Sequence, residues 1–291
     1  MKSQAAMEYL MTYGWAILVI AVVLAALYSL GIFNPNTFAP KASAGSCEVV
    51  RPFGPTTTTD VHLEGTCTNM LPKYVASFNG NAYIYANVLS MPAGPATATV
   101  TGWFYYITSM PNPAMLWSYG TSGNCGAGNY FSLRYNLGTF NKNYTFTTDP
   151  WCNQAGTPLT PKPYTWYFIT ETENSSGFAI YVGANDHIYR GIGGPPSNII
   201  PSEYFYIAKG NDGGNFAGSI SNLQIYNKVL SANQITALYQ EGIGGDPINL
   251  NNLIAWYPLN GNANDYSGNK YNGKSIGVSY SSTWYKTYSA P

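Results

Sequence analysis

Charge is scarce in this chain of 291 residues. Asp, Glu, Lys and Arg make up 9% of it, against roughly 25% in an average soluble protein. Thirteen basic and thirteen acidic side chains cancel to zero net charge. The basic stripe that gathers phosphates is therefore missing, which excludes nucleic acid as a partner. Histidine is also rare: His62 and His187 stand far apart, and no two cysteines take the C-x₂-C spacing of a zinc site. Intrinsic disorder is excluded by a 45% hydrophobic content, enough for a sizeable core. In place of charge the chain carries Asn, Thr, Ser, Gly and 26 Tyr. Aromatic and Thr side chains suit pleated sheets, and this neutral, polar balance is common in β-rich proteins of cell surfaces.

Four cysteines, Cys47, Cys67, Cys125 and Cys152, fit an oxidising compartment better than the cytosol. Two disulfides, Cys47–Cys67 and Cys125–Cys152, would each close a short loop. Four cysteines nevertheless allow three connectivities, and sequence alone leaves the pairing open.

Residues Tyr9 to Phe33 carry no charge, and the run GWAILVIAVVLAALYSLGIF is long enough to cross a bilayer. Ala and Leu favour helix, and Asn34-Pro35 marks its end. One reading is a permanent membrane anchor. A second is a secretory signal, since Ala42-Ser43-Ala44 has the small-x-small pattern of a cleavage site. The apolar run is longer than the roughly 7–15 residues usual in such signals. A third reading turns on Glu8, a carboxylate at the border of an apolar helix and so a candidate for function.

Lys2-Ser3-Gln4-Ala5-Ala6-Met7-Glu8 resembles the processing site, or class III signal peptide, of archaeal type IV pilin-like proteins. In that family a prepilin-type peptidase cuts after a short basic leader and leaves Glu as the fifth mature residue. A cut between Ser3 and Gln4 places Glu8 there; Ser3 stands where the family usually has Gly. The resemblance implies that the new α-amino group of Gln4 pairs with Glu8 of a neighbouring helix, offsetting the burial of both charges. It further implies a helix inserted in the membrane before assembly, then packed in a homo-oligomeric filament core by dedicated assembly machinery. The plain alternative is Glu8 as a snorkelling residue on a simple anchor. The expected layout is a leader over residues 1–3, the helix over 4–33 and a Pro/Ala/Ser linker over 34–46.

Beyond the linker the chain is strand-like. TATVTGWFYYIT (97–108), TWYFITET (165–172), FAIYV (178–182) and YFYIA (204–208) are aromatic and β-branched, bounded by Gly, Pro and Asn. These short strands predict a mainly β, antiparallel sandwich. One helical patch interrupts them, opening at Ser231 with Ile235, Leu238 and Tyr239 on one face. The segment from Gly218 to Ile235, with its pattern G-x-I-x-x-x-x-I-Y-N-x-x-L-S, resembles the closing signature of laminin-G-like, concanavalin A-like jelly rolls. Tyr74–Ile84 and Tyr164–Thr170 resemble that family's early and central strands. The expected sandwich spans residues 47–245. Leu253–Asn269 resembles the family's opening strand and loop, although here it follows the closing signature. Residues 246–291 would therefore complete the sandwich of their own chain or pair with a neighbouring subunit.

The resemblance implies glycan binding, in some members with Ca²⁺, and raises glycosidase activity. Retaining glycosidases need two carboxylates about 5–5.5 Å apart. The nearest candidate, Glu171-Thr-Glu173, lacks the family's further acids and reads as solvated hairpin carboxylates, so an enzyme is not expected. Calcium, the one cofactor to consider, would draw on Asp212, Asn260, Asn262 and Asp265, with turn formation as the alternative. Asn260 stands where the family's opening loop often has Asp. Sugar contacts would draw on Tyr105, Trp117, Tyr119 or Trp151, with strand packing as the alternative. Asn143 and Asn174 open N-glycosylation sequons. The leading reading is a pilus-like surface filament subunit with an outward lectin-like domain for adhesion. The alternative is a membrane-anchored monomeric lectin.

Overall fold

The computed structural model describes residues 2–29, 47–67, 71–95, 97–107, 114–121, 130–135, 146–148, 155–157, 159–194, 196, 198–210 and 214–291. They form two units, Met1–Pro40 and Lys41–Pro291. The first is built on α1 (Lys2–Ser29), which contains no proline and only one glycine, Gly14. Its apolar residues fall on every side, so it has no amphipathic stripe to lay against a core. The side chains of α1 are described over 13–27 only, and among the described residues no helix is long and apolar enough to cross a membrane. Ser3, Gln4 and Glu8 belong to the helical backbone, with side chains outside the described residues.

The second unit is built from strands. In chain order these are β1 (Cys47–Val50), β2 (His62–Gly65), β3 (Val75–Asn79), β4 (Tyr83–Ala86), β5 (Gly94–Pro95), β6 (Ala98–Tyr106) and β7 (Ala114–Gly120). There follow β8 (Tyr130–Tyr135), β9 (Phe146–Thr148), β10 (Thr165–Asn174), β11 (Gly177–Ala184), β12 (His187–Ile192), β13 (Asn198–Ile199), β14 (Phe205–Ile207), β15 (Gly214–Asn215) and β16 (Ala217–Tyr226). Helix α2 (Ala232–Gln240) comes next, then β17 (Leu253–Tyr257), β18 (Lys274–Ile276) and β19 (Ser279–Ser281).

Among the described residues two large sheets stand out. The eight-stranded sheet runs β12-β11-β10-β6-β16-β3-β19, with β17 also on β16; the seven-stranded sheet runs β18-β4-β14-β7-β8-β9, with β15 beside β7. Strand alternation explains how they pack. On β6, Ala98, Val100 and Phe104 enter the core between the sheets, while Trp103 and Tyr105 point outward. The outer face of the eight-stranded sheet carries a second core. Trp103, Trp166 and Phe168 there are covered by Ile235, Leu238 and Tyr239 of α2, by Val49 of β1 and by Trp284.

Helix α2 is closed by a capping box: the Gln234 N–H donates to Ser231 Oγ at 3.3 Å and the Ser231 N–H to Gln234 Oε1 at 3.0 Å. The expected N-cap and apolar face are both present. Gly218, the second residue of β16, holds φ +147°, and a Cβ there would stand 2.4 Å from the Tyr105 carbonyl oxygen. The glycine of the closing signature is thus required by strand packing.

Strand β16 has two partners along one edge. Its first half pairs with β3 and its second with β17, both antiparallel and both of the same chain. The Cys47–Cys67 disulfide ties β1 to the second residue past β2; Cys125 and Cys152 lie outside the described residues.

Candidate functional site

Tyrosines recur at alternate positions on two neighbouring strands. On β4, Tyr83 and Tyr85 flank Ile84, which is fully buried in the inter-sheet core; around β14, Tyr204 and Tyr206 flank Phe205, equally buried. The pairing sets Tyr206 opposite Tyr85 and Lys274 of β18 opposite Tyr85 on its other side. Two-residue periodicity therefore turns four half-buried phenol rings to the outside of the seven-stranded sheet.

These rings contact one another. Tyr85 and Tyr204 meet edge to face at 5.0 Å between centroids. Tyr83 lies 6.2 Å from Tyr85 and 6.4 Å from Tyr206. The Lys209 ammonium sits 4.3 Å from the Tyr83 centroid and 4.8 Å from that of Tyr206, within cation–π range. Burial, followed by the neighbouring phenols and Glu203, pushes the Tyr206 hydroxyl above its ordinary range. A hydrogen bond to Glu203 does the same for Tyr204. Both hydroxyls remain neutral near pH 7, able to donate and accept. The face thus offers flat apolar rings edged by neutral hydroxyls and an ammonium, pre-ordered by mutual packing.

Several residues expected at a site lie elsewhere. Trp117 is 0% and Tyr119 4% exposed, both in the inter-sheet core, so neither can meet a ligand. The bulge on β7 between Met115 and Trp117 adjusts their facing, and the Trp117 indole N–H donates to Glu171 Oε2 at 3.0 Å. Tyr105 packs 5.3 Å from Trp166 on the outer face of the other sheet, away from the tyrosine cluster. Trp151 lies outside the described residues.

The reading of Glu171 and Glu173 as solvated hairpin carboxylates is corrected: each is 1% exposed. Strand β10 runs on through Asn174, and its alternation turns Tyr167, Ile169, Glu171 and Glu173 to the inner face.

The loop expected to offer calcium ligands is held together by its own side chains. Asp265 is buried and both its oxygens are engaged by protein donors. Oδ1 accepts from the Trp256 and Ser267 N–H groups, Oδ2 from the Ser267 hydroxyl and the Tyr271 N–H. Asn260 Oδ1 accepts from the Tyr74 N–H, and Asn262 Oδ1 from the Asn264 N–H. These side chains fold the loop after β17, and a cation would have to displace their donors. Among the described residues no group of three or more His, Cys, Asp or Glu could hold a metal. Asp212 lies outside the described residues, as does Asn143. Asn174 stands at the β10–β11 turn, its Oδ1 accepting from the Ser176 N–H.

The four-tyrosine face escaped the sequence reading although its signal is there. Tyr83-Ile84-Tyr85-Ala86 and Tyr204-Phe205-Tyr206-Ile207 place tyrosine on one face and apolar residues on the other.

Residues 78–236, over half of the chain, match the family model of the Concanavalin A-like lectin/glucanases superfamily. No curated protein matches the chain. Among solved structures, a candidate carbohydrate-binding protein from Bacteroides ovatus superposes with a TM-score of 0.52 at 16% identity, over 77% of this chain and 64% of that one. Full-length tailspike protein 2 of Escherichia coli O157:H7 bacteriophage CAB120 gives 0.48 at 14%, over 78% of this chain and 31% of that one. Domain 4 of an extracellular arabinanase from Geobacillus stearothermophilus, solved with arabinotriose, gives 0.43 at 13%, over 68% and 98%. At such identities the likeness concerns the fold alone.

Proposed function

The chain belongs to the concanavalin A-like lectin/glucanases superfamily, and from that premise we propose that it binds glycans at the cell surface through its four-tyrosine face. The observation that carries this reading is the cluster of Tyr83, Tyr85, Tyr204 and Tyr206 on an outward sheet face. A sugar ring has an apolar C–H face and a rim of hydroxyls. Tyrosine matches both, with a flat apolar body, a polar tip and little conformational entropy to lose. Binding without turnover is favoured by the inward direction of Glu171 and Glu173.

The N-terminal unit adds the means of display. A helix apolar on all faces is stable when surrounded by apolar matter, and bundled copies of itself would supply that. With Glu8 and the Ser3–Gln4 processing pattern, this supports a pilus-like filament carrying the sandwich outward. Carbohydrate binding is also what the descriptions of the Bacteroides protein and the arabinanase domain name.

Two measurements test the reading. Sheared surface material imaged by electron microscopy is expected to show filaments containing this chain; protein found only as membrane-bound monomer would leave an anchored lectin. A glycan array probed with the full chain is expected to give signals that survive chelation, since the Asp265 loop is self-bonded. A flat array would remove the glycan-binding role.

A further inference from the structure

A cleft of about 410 Å³ opens on the outer face of the eight-stranded sheet, away from the tyrosine face. That volume lies within the roughly 300–1,000 Å³ common for small-molecule sites. Trp103, Trp166 and Tyr239, all buried in the second core, form its floor. The Asn185–Asp186 turn between β11 and β12 lies on one side, and Thr287 and Ser289 bring hydroxyls from the C-terminal segment.

The lining is held in place. A Cβ on Gly183 would come within 2.6 Å of the Tyr239 ring, so that ring rests directly on strand backbone. The Tyr239 hydroxyl accepts from the Asp186 N–H at 3.2 Å, coupling α2 to the turn. The Trp166 indole N–H donates to Thr287 Oγ1 at 3.3 Å.

Tyr164, also part of the lining, is the independent sign of function. It holds φ +60°, a left-handed conformation that disfavours a bulky L-residue, and it is 61% exposed. Glycine would make the same bend without strain. A left-handed aromatic displayed at the mouth of a cleft is a candidate for contact with a ligand. Among the described residues no Lys or Arg lines the cleft. Its chemistry is one exposed phenol ring with a carboxylate, an amide and hydroxyls.

We propose that this cleft is a second binding site, for a neutral sugar presented as a free disaccharide or the end of a glycan chain. The exposed Tyr164 ring takes the C–H face of the sugar, and Asn185, Asp186 and Ser289 meet its hydroxyls. The carboxylate accepts from hydroxyl donors and turns away acidic sugars. The site stands on its own residues and does not depend on binding at the tyrosine face.

The test titrates the full chain with cellobiose, maltose, lactose and mannobiose, reading tryptophan fluorescence and calorimetry. At least one disaccharide is expected to saturate the response. Its Kd should rise tenfold or more in Tyr164→Gly while that variant's Tm is unchanged or raised, because the strain has gone. Asp186→Asn, which keeps the turn geometry, should raise Kd several-fold. Tyr85→Ala should leave Kd unchanged. The inference is overturned if no disaccharide in the panel binds, or if Tyr164→Gly binds as the native chain does. It is also overturned if Tyr164→Gly lowers Tm, which would make the tyrosine structural. Sensitivity to Tyr85→Ala with indifference to Tyr164→Gly would move the sugar to the other face.

Discussion

Asp246 has a built-in pH response. Burial, with a smaller contribution from the Glu241 carboxylate, pushes its carboxyl up to about 7. Burial raises Glu241 as well. The folded chain therefore keeps protons that the unfolded chain releases near the ordinary carboxylate value of about 4. Stability from this site is complete below about pH 4 and is lost as pH rises through about 7. His62, raised mainly by its hydrogen bond to Glu64, adds a contribution of the same sign. Between pH 5 and 8 the Tm should fall as pH increases, and Asp246→Asn should reduce that slope. A slope unchanged in the variant would place the titration elsewhere.

Arg51 is a second residue whose role is visible only in three dimensions. Its guanidinium donates to the carbonyls of Ser267, Thr57, Leu250 and Leu253, fastening the N-terminal hairpin region to the loops around β17. Arg51→Ala should cost about 2–3 kcal/mol in chemical denaturation. Arg51→Lys should recover little, because one ammonium cannot reproduce the fork. Nothing local in the sequence around residue 51 discloses partners some two hundred positions away. The same limit hid the fate of Trp117, Tyr119, Glu171 and Glu173. The strand of Glu171 and Glu173 was legible and that of Trp117 and Tyr119 was not marked, and the face each residue occupies depends on where the strand ends and on one bulge.

For individual elements, the sequence was most informative where a motif carries its own physics. Helix α2 was readable from Ser231 and the spacing of Ile235, Leu238 and Tyr239, because capping and periodicity are local. Strand β17 was recognisable as a strand but not as a partner of β16, whose length lets it hold β3 and β17 end to end. The Cys47–Cys67 bridge was one of several open pairings and is present. It closes a sequence separation of 20 residues, and in the chain-entropy view such a link is worth about 3 kcal/mol. Reduction, or a Cys47→Ser/Cys67→Ser variant, should lower stability by about that amount while leaving the sheets assembled. The readout is a lower denaturation midpoint with far-UV circular dichroism preserved. Collapse of the sheet signal would show that the β1–β2 hairpin does more than cover the second core.

On the scale of the whole molecule, the recognition proposed for this neutral chain with few charges rests on tyrosine. One sheet turns Tyr83, Tyr85, Tyr204 and Tyr206 outward, and the other supports the cleft at Tyr164 and Tyr239. The fold class was legible because the closing signature and the strand alternation agree. The tyrosine face was legible in principle, since alternating Tyr and apolar residues write it into two short strands, but only pairing β4 with β14 makes it one surface.

The measurement that tests the central claim most directly is glycan affinity of the native chain against a Tyr85→Ala/Tyr206→Ala variant. It uses glycans selected from the array and is read by calorimetry alongside Tm. The rings face outward, so their removal should leave Tm within a few degrees while Kd rises at least tenfold, about 1.4 kcal/mol or more. Equal affinity in the two proteins, with both folded, would contradict the assignment of glycan binding to the tyrosine face.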